Sequence, residues 1–218
     1  MAKAHFVVLL HGFARTPHDM RFLDARLRAA GLDTWCPRLP TTLGGLVPAV
    51  CKLEEELSCV VPARVPVHFV AHSMGGLVTR LLLSRRRIER LGPCVLIATP
   101  SGGTELARIA LRVFPPLSLL SPSLRELAPP GPVIAPPLNE PPPKIGVVGG
   151  TENSLRFARF LPGNNDGRVS AASLAFEGAS ETVLLPYNHH AIHHREECAG
   201  LVLRFLLSGT FSQARRAP

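Results

Sequence analysis

The sequence predicts an α/β fold: a mainly parallel sheet of about six strands flanked by helices, read as one domain over residues 1–218. Three observations carry that prediction. Short apolar runs alternate with amphipathic stretches at helical spacing, the order that successive βαβ units require. The first of these runs, ending Phe6-Val7-Val8-Leu9-Leu10, is continuously apolar instead of alternating with polar residues, as in a strand covered on both faces. One of them, Val67-His68-Phe69-Val70-Ala71, passes through His72-Ser73-Met74-Gly75-Gly76 directly into a helical pattern.

In chain order, His5 to Leu10 is a buried strand bounded by His11-Gly12. Asp19 to Ala30 reads as an amphipathic helix with Met20, Leu23, Leu27 and Ala30 on one face, and Gly31 stops it. Asp33 to Cys36 is a short second strand, ended by Pro37. Leu46 to Val60 is the second helix, polar through Lys52, Glu54, Glu55 and Glu56. Val65 to Ala71 is the third strand, Met74 to Leu83 opens the third helix, and Cys94 to Ala98 is the fourth strand. From about Thr104 to Pro143 the chain becomes proline-rich, with Pro115-Pro116, Pro129-Pro130, Pro136-Pro137 and Pro141 to Pro143. So long an excursion, too poor in charge for disorder, is expected to be a lid-like insertion. Alternation resumes with Lys144 to Gly149 as the fifth strand, Glu181 to Leu185 as the sixth and Glu196 to Leu207 as the last helix.

Composition narrows the class. The formal charge of +8 is carried almost wholly by arginine, since lysine occurs only at Lys3, Lys52 and Lys144. The densest cluster, Arg85-Arg86-Arg87 with Arg90, has no interleaved aromatics, so it is expected to cap the helix after Ser73 and not to bind nucleic acid. A weak association with anionic membrane surfaces is compatible with it. No apolar run reaches the ~18–20 residues of a membrane span, and Phe6 to Leu10 lacks a cleavage site, so no signal peptide is expected. Five scattered cysteines without C-x-x-C spacing read as reduced and mostly buried, in keeping with a cytoplasmic setting.

The strand–turn–helix around Ser73 is the arrangement that lifts a serine Oγ out of a sheet, with Ala71 where a first glycine is usual. A serine hydroxyl attacks carbonyls only when a base takes its proton and an acid holds that base in one tautomer. Asp166 is the sole aspartate after Ser73, in an Asn-Asp-Gly turn beyond the fifth strand; Glu152 stands nearer the strand end as a second candidate. The base must come from Asn188-His189-His190-Ala191-Ile192-His193-His194, where His189 and His190 lie directly past the last strand. His193 and His194 read as the approach to the final helix. The tract has no upstream cysteine or carboxylate at recognised ligand spacing, so no metal is expected. His72 is expected to pack or hydrogen-bond beneath the turn, away from Ser73. An oxyanion needs two N–H donors, which the backbones of Met74 and Phe13 can supply.

These residues resemble the α/β-hydrolase superfamily, specifically its small bacterial lipase/esterase branch. The matching stretches are Leu10 to Thr16, Val70 to Val78, Thr99 to Ala107, Asn165 to Ser170 and Leu185 to His190. The resemblance implies Ser73 as nucleophile, Asp166 as acid, His189 and not His190 as base, and Phe13 in the oxyanion loop. Phe13-Ala14-Arg15 replaces the glycines usual after the His-Gly pair, and His190, His193 and His194 are departures. The function implied is cleavage of carboxylic esters with a hydrophobic acyl group through an acyl-serine, without a cofactor, on a small-molecule ester or lipid. Acyl transfer or thioester hydrolysis by the same triad is the alternative, and a non-catalytic binding protein on this fold is the third reading.

Overall fold

The computed structural model describes residues 5–212 and contains one six-stranded sheet in the order β2-β1-β3-β4-β5-β6. The strands are β1 (Phe6–Leu10), β2 (Asp33–Trp35), β3 (Val67–His72), β4 (Cys94–Ile97), β5 (Ile145–Gly150) and β6 (Glu181–Leu185), and every pairing is parallel. β1 and β3 are paired from Phe6–Val67 to Leu10–Ala71, so the loops after both strands open on the same edge of the sheet.

β1, β3, β4 and β5 are buried at every position; β1 and β4 are wholly apolar, while β3 also buries His68 and His72. Helices α2 (Leu46–Val60) and α3 (Met74–Arg85) cover one face, where Leu53, Leu77 and Leu82 meet Val8, Phe69 and Leu96. Helices α1 (Arg21–Ala29) and α7 (Glu196–Ser208) cover the other, where Leu23, Leu27, Val202 and Phe205 meet Val7, Val70 and Val95. Each such side chain contributes about 1.5–3 kcal/mol by leaving water, and the two layers fix where the strand ends fall. Among the described residues no helix is long and apolar enough to cross a membrane.

The departures from expectation have local causes. The first helical segment divides into a 3-10 turn at Pro17–Met20 and α1, because Pro17 initiates the earlier turn. β3 begins at Val67 and not Val65, since Pro66 has no N–H to give a ladder. Residues 104–126, read as part of a proline-rich excursion, fold into α4 (Glu105–Val113), α5 (Leu117–Leu120) and α6 (Pro122–Glu126). The following stretch is tied down: Leu138 N–H donates to Leu83 O at 2.9 Å, and the Asn139 amide exchanges two hydrogen bonds with the Ile88 backbone. The helical part of the excursion reaches the end of the sheet where the loops of β1 and β3 gather, and Gly131 beyond it packs against the backbone of Ser101 to Gly103. The arginine cluster sits where α3 ends, with Arg85 its last residue and Arg86 its C-cap.

Candidate active site

Ser73 occupies the single residue between β3 and α3, at φ 53 and ψ −124. A non-glycine residue with positive φ is strained, and here neighbouring small residues make the strain tolerable. A Cβ at Gly75 would stand 2.6 Å from Leu10 O, and one at Gly76 would run into the Thr99 side chain. The turn is held from below by Ser73 N–H donating to Ile97 O at 2.8 Å. α3 starts at Met74, whose N–H lies in the first turn and has no partner inside the helix.

His189 Nε2 lies 3.1 Å from Ser73 Oγ, and His189 Nδ1 lies 2.8 Å from Asp166 Oδ2. An ionised carboxylate can only accept, so Nδ1 carries the hydrogen and Nε2 presents its lone pair to the serine hydroxyl. All three residues are buried. Asp166 serves two purposes through separate oxygens. Oδ1 accepts from Arg168 N–H at 2.9 Å and Val169 N–H at 2.7 Å, which shapes the turn; Oδ2 faces His189. The loops are joined again by His189 N–H donating to Asp166 O at 2.9 Å. Glu152, the other acid candidate, is exposed at the end of β5, and its backbone N–H reaches Tyr187 O at 3.4 Å.

The loop after β1 is anchored through Gly12. Its carbonyl accepts from Thr41 Oγ1 at 2.9 Å and from His11 Nδ1 at 3.1 Å, while His11 Nε2 accepts from Leu39 N–H at 3.2 Å. Burial lowers the His11 pKa, which keeps this ring neutral and able to do both. In a trans peptide the carbonyl of Gly12 and the N–H of Phe13 point in opposite directions. Holding that carbonyl in the core turns the Phe13 N–H outward. Sequence reasoning missed Thr41, which lies far from any motif.

His72 does point away from Ser73. Its Nε2–H donates to His189 O at 3.0 Å, and burial, followed by the neighbouring His193 and His189, drives its pKa well below the ordinary value. His190 lies at the cleft rim, where its Nδ1 accepts from the Arg15 guanidinium at 2.8 Å. Burial, then His189 and Arg15, lower its pKa to about 4.

Above Ser73 and His189 is a cleft of about 400 Å3. Phe13 and Arg15 form one wall; Leu106, Ala107 and Ala110 of α4, with Leu124 and Leu127, form the other. The apolar wall therefore comes from the helical part of the excursion. Of the cysteines, Cys94 and Cys198 are buried, Cys36 and Cys51 are half-buried and Cys59 is exposed, so fewer are buried than expected. Burial pushes the thiols of Cys36, Cys94 and Cys198 up to about 12, so they stay protonated.

A model of the alpha/beta hydrolase family matches residues 7–202. The chain belongs to the alpha/beta hydrolase family. Among curated proteins none matches the sequence significantly. The mature lipase BlEst2 of Bacillus licheniformis is similar over 88% of this chain and 87% of its own, with 16% identity and a TM-score of 0.69. YbtT, a type II thioesterase of the yersiniabactin pathway, is similar over 97% of this chain and 96% of its own, at 14% identity and a TM-score of 0.63. The metagenomic carboxyl esterase MGS0156 covers 88% of this chain and 66% of its own, at 16% identity and a TM-score of 0.61. At these identities the likenesses concern the fold. Family membership supports a hydrolase as the coarse class of activity.

Proposed function

We propose that this protein is a serine hydrolase that cleaves carboxylic esters of hydrophobic acyl groups, with Ser73, His189 and Asp166 as its triad. The observation that carries the proposal is the continuous chain from Ser73 Oγ through the His189 ring to Asp166 Oδ2 at the floor of an apolar-walled cleft. His189 Nε2 takes the Ser73 proton as Oγ attacks the ester carbonyl. The buried Asp166 carboxylate stabilises the imidazolium that forms. The backbone N–H groups of Phe13 and Met74 receive the oxyanion, an interaction of several kcal/mol at a pre-set site. Collapse passes the proton from His189 to the leaving alcohol and leaves an acyl-serine. Water, deprotonated by the same ring, then releases the acid. Val169 and the α4 residues Leu106, Ala107 and Ala110 offer the acyl chain an apolar surface.

The test is turnover of p-nitrophenyl esters of increasing acyl length, with fluorophosphonate labelling of the wild type and of Ser73→Ala. The proposal expects labelling confined to Ser73 and loss of turnover in the variant. Equal turnover by Ser73→Ala overturns it. Likeness to a thioesterase over nearly all of both chains favours one second reading, hydrolysis of acyl thioesters. Matched oxygen esters and thioesters of one acyl group decide between the two by kcat/KM.

A further inference from the structure

A second cluster of chemically active side chains lies behind the His189 loop and takes no part in the mechanism above. Asp19, in the 3-10 turn Pro17–Met20, meets His193 and His194, in the 3-10 turn Ile192–His194. One donor atom from each of these three lies within 4.8 Å of the others. His193 Nε2 is 3.2 Å from Asp19 Oδ2, and His194 Nε2 is 3.9 Å from Asp19 Oδ1. The His193 ring stacks on His72 at 3.9 Å and stands 4.0 Å from His194.

The hydrogen-bond inventory is what makes this cluster unusual. His193 is only 1% exposed, yet among the described residues neither of its ring nitrogens has a hydrogen-bond partner. Asp19 Oδ2 is buried without a hydrogen bond as well, so its short approach to His193 is not an aligned N–H···O contact. His72 adds a third constraint. Its Nε2 must carry the hydrogen, because it meets the His189 carbonyl, so Nδ1 is left as a bare lone pair. That lone pair is also unpartnered and faces Asp19 Oδ2 at 3.7 Å. Two acceptors thus confront each other in a buried place beside an unpaired imidazole. Each buried orphan costs about 1–3 kcal/mol, and natural structures leave few unexplained. A cation held by His193 Nε2 and Asp19 Oδ2, carrying a water that donates to His72 Nδ1, would give three of these four atoms a partner.

We propose that Asp19, His193 and His194 form a binding site for a zinc-type divalent transition-metal ion, with a water completing the coordination. Two imidazoles and a carboxylate are a donor set that zinc takes with bonds of about 2.0–2.2 Å, and tetrahedral ligands at that length stand about 3.3 Å apart. The 3.2 Å separation of His193 Nε2 and Asp19 Oδ2 already has that value; His194 Nε2 stands 3.9 Å from the other carboxylate oxygen, Oδ1, and has to move inward to join them. His194 is exposed and leaves one side of the site open to solvent, while His72 Nδ1 is placed to accept a hydrogen bond from a bound water. The carboxylate that the His-His-x-x-His-His tract lacks upstream at ligand spacing is supplied by Asp19, far away in sequence. An ion here ties the segment that follows the Phe13 loop to the segment that follows His189. It braces both sides of the cleft without touching Ser73, so the site stands or falls apart from the ester-cleavage proposal.

The experiment uses the full untagged chain, freed of metal by chelator dialysis and then given zinc sulfate. Zinc retained after desalting is measured by elemental analysis, and Tm is followed as zinc is raised. Expected are one zinc per chain and a Tm rise of about 5–10 °C at a hundredfold excess over the dissociation constant. His194→Ala, at the exposed rim, is expected to weaken binding at least tenfold while the metal-free Tm stays within a few degrees of wild type. His193→Phe keeps the stacked ring and should abolish binding; Ser73→Ala should bind as wild type does. Failure of the wild type to retain zinc or to gain stability overturns the proposal. So does undiminished binding by both histidine variants, which would place the metal elsewhere.

Discussion

The His72 imidazole donates to the backbone carbonyl of His189 at 3.0 Å, with the two rings 4.8 Å apart. The residue just before the candidate nucleophile therefore holds the loop that carries its base. Both sides of the Ser73–His189 contact are set from one strand end. His72→Phe keeps the packing and removes the donor, leaving a buried carbonyl unpaired at a cost of about 1–3 kcal/mol. The expected result is a kcat lowered about tenfold on p-nitrophenyl acetate with KM little changed, and a Tm several degrees lower. His72→Gln, which retains a donor, should recover part of kcat. An unchanged kcat in His72→Phe would show that the base is positioned without this bond.

Asp166 divides its oxygens between turn and base, and substitution can separate the two. Asp166→Asn keeps an oxygen for the Arg168 and Val169 N–H groups but brings an amide to His189, which then holds the wrong tautomer. Expected is a loss of about 10^4-fold in kcat with thermal stability close to wild type. Ser73→Ala and His189→Ala should fall to a similar floor, and combining them should cost little more, because the three act as one unit. Additive losses on combination would argue against a shared mechanism.

Much of this site could be read before any coordinates. Asp166 stood out because no other aspartate follows Ser73, and its turn sequence and its contact with His189 turned out to be compatible uses of one side chain. β1 was legible because a strand buried on both faces leaves an unbroken apolar trace, and β3 because its β-branched and aromatic residues run straight into the Ser73 turn. The helices of residues 104–126 were hidden by the prolines around them, although Thr104-Glu105 and the apolar spacing Leu106, Ile109, Ala110 and Val113 mark α4. The meeting of Asp19 with His193 and His194 left no sequence signal. It exists because α1 and α7 pack on the same face of the sheet and bring their leading turns together.

Thr41 is far in sequence from every catalytic motif, yet its hydroxyl donates to Gly12 O at 2.9 Å and is fully buried. Thr41→Val keeps the shape and deletes that bond, so the Gly12–Phe13 peptide is held by His11 alone. Complete loss of an oxyanion donor costs about 10^2–10^3 in kcat; a loosened one should cost about tenfold. Measured on one ester, kcat should fall while KM holds, since the donor matters most as charge develops on oxygen. An equal kcat would mean that the Phe13 N–H is aimed by other contacts.

His68 gives a stability prediction with a definite sign. It is buried in β3, donates from Nδ1 to Pro93 O at 3.0 Å and accepts from His5 at 2.9 Å. Burial lowers its pKa from 6.5 to about 4, with the Pro93 carbonyl opposing and His5 adding to the shift. The unfolded chain protonates this histidine near pH 6.5 and the folded chain does not until about pH 4. Over that window the unfolded state binds the extra proton, so stability falls as pH falls. Above pH 6.5 this residue contributes no slope, and below pH 4 both states are protonated. The loss from this group alone is roughly 3 kcal/mol across the window. His68→Gln removes the titrating ring, so urea unfolding between pH 7 and 4 should show a smaller decline in the variant than in wild type. The two curves should converge toward acid and separate above pH 6.5, where the wild type is the more stable. Parallel curves would place the proton uptake at other histidines.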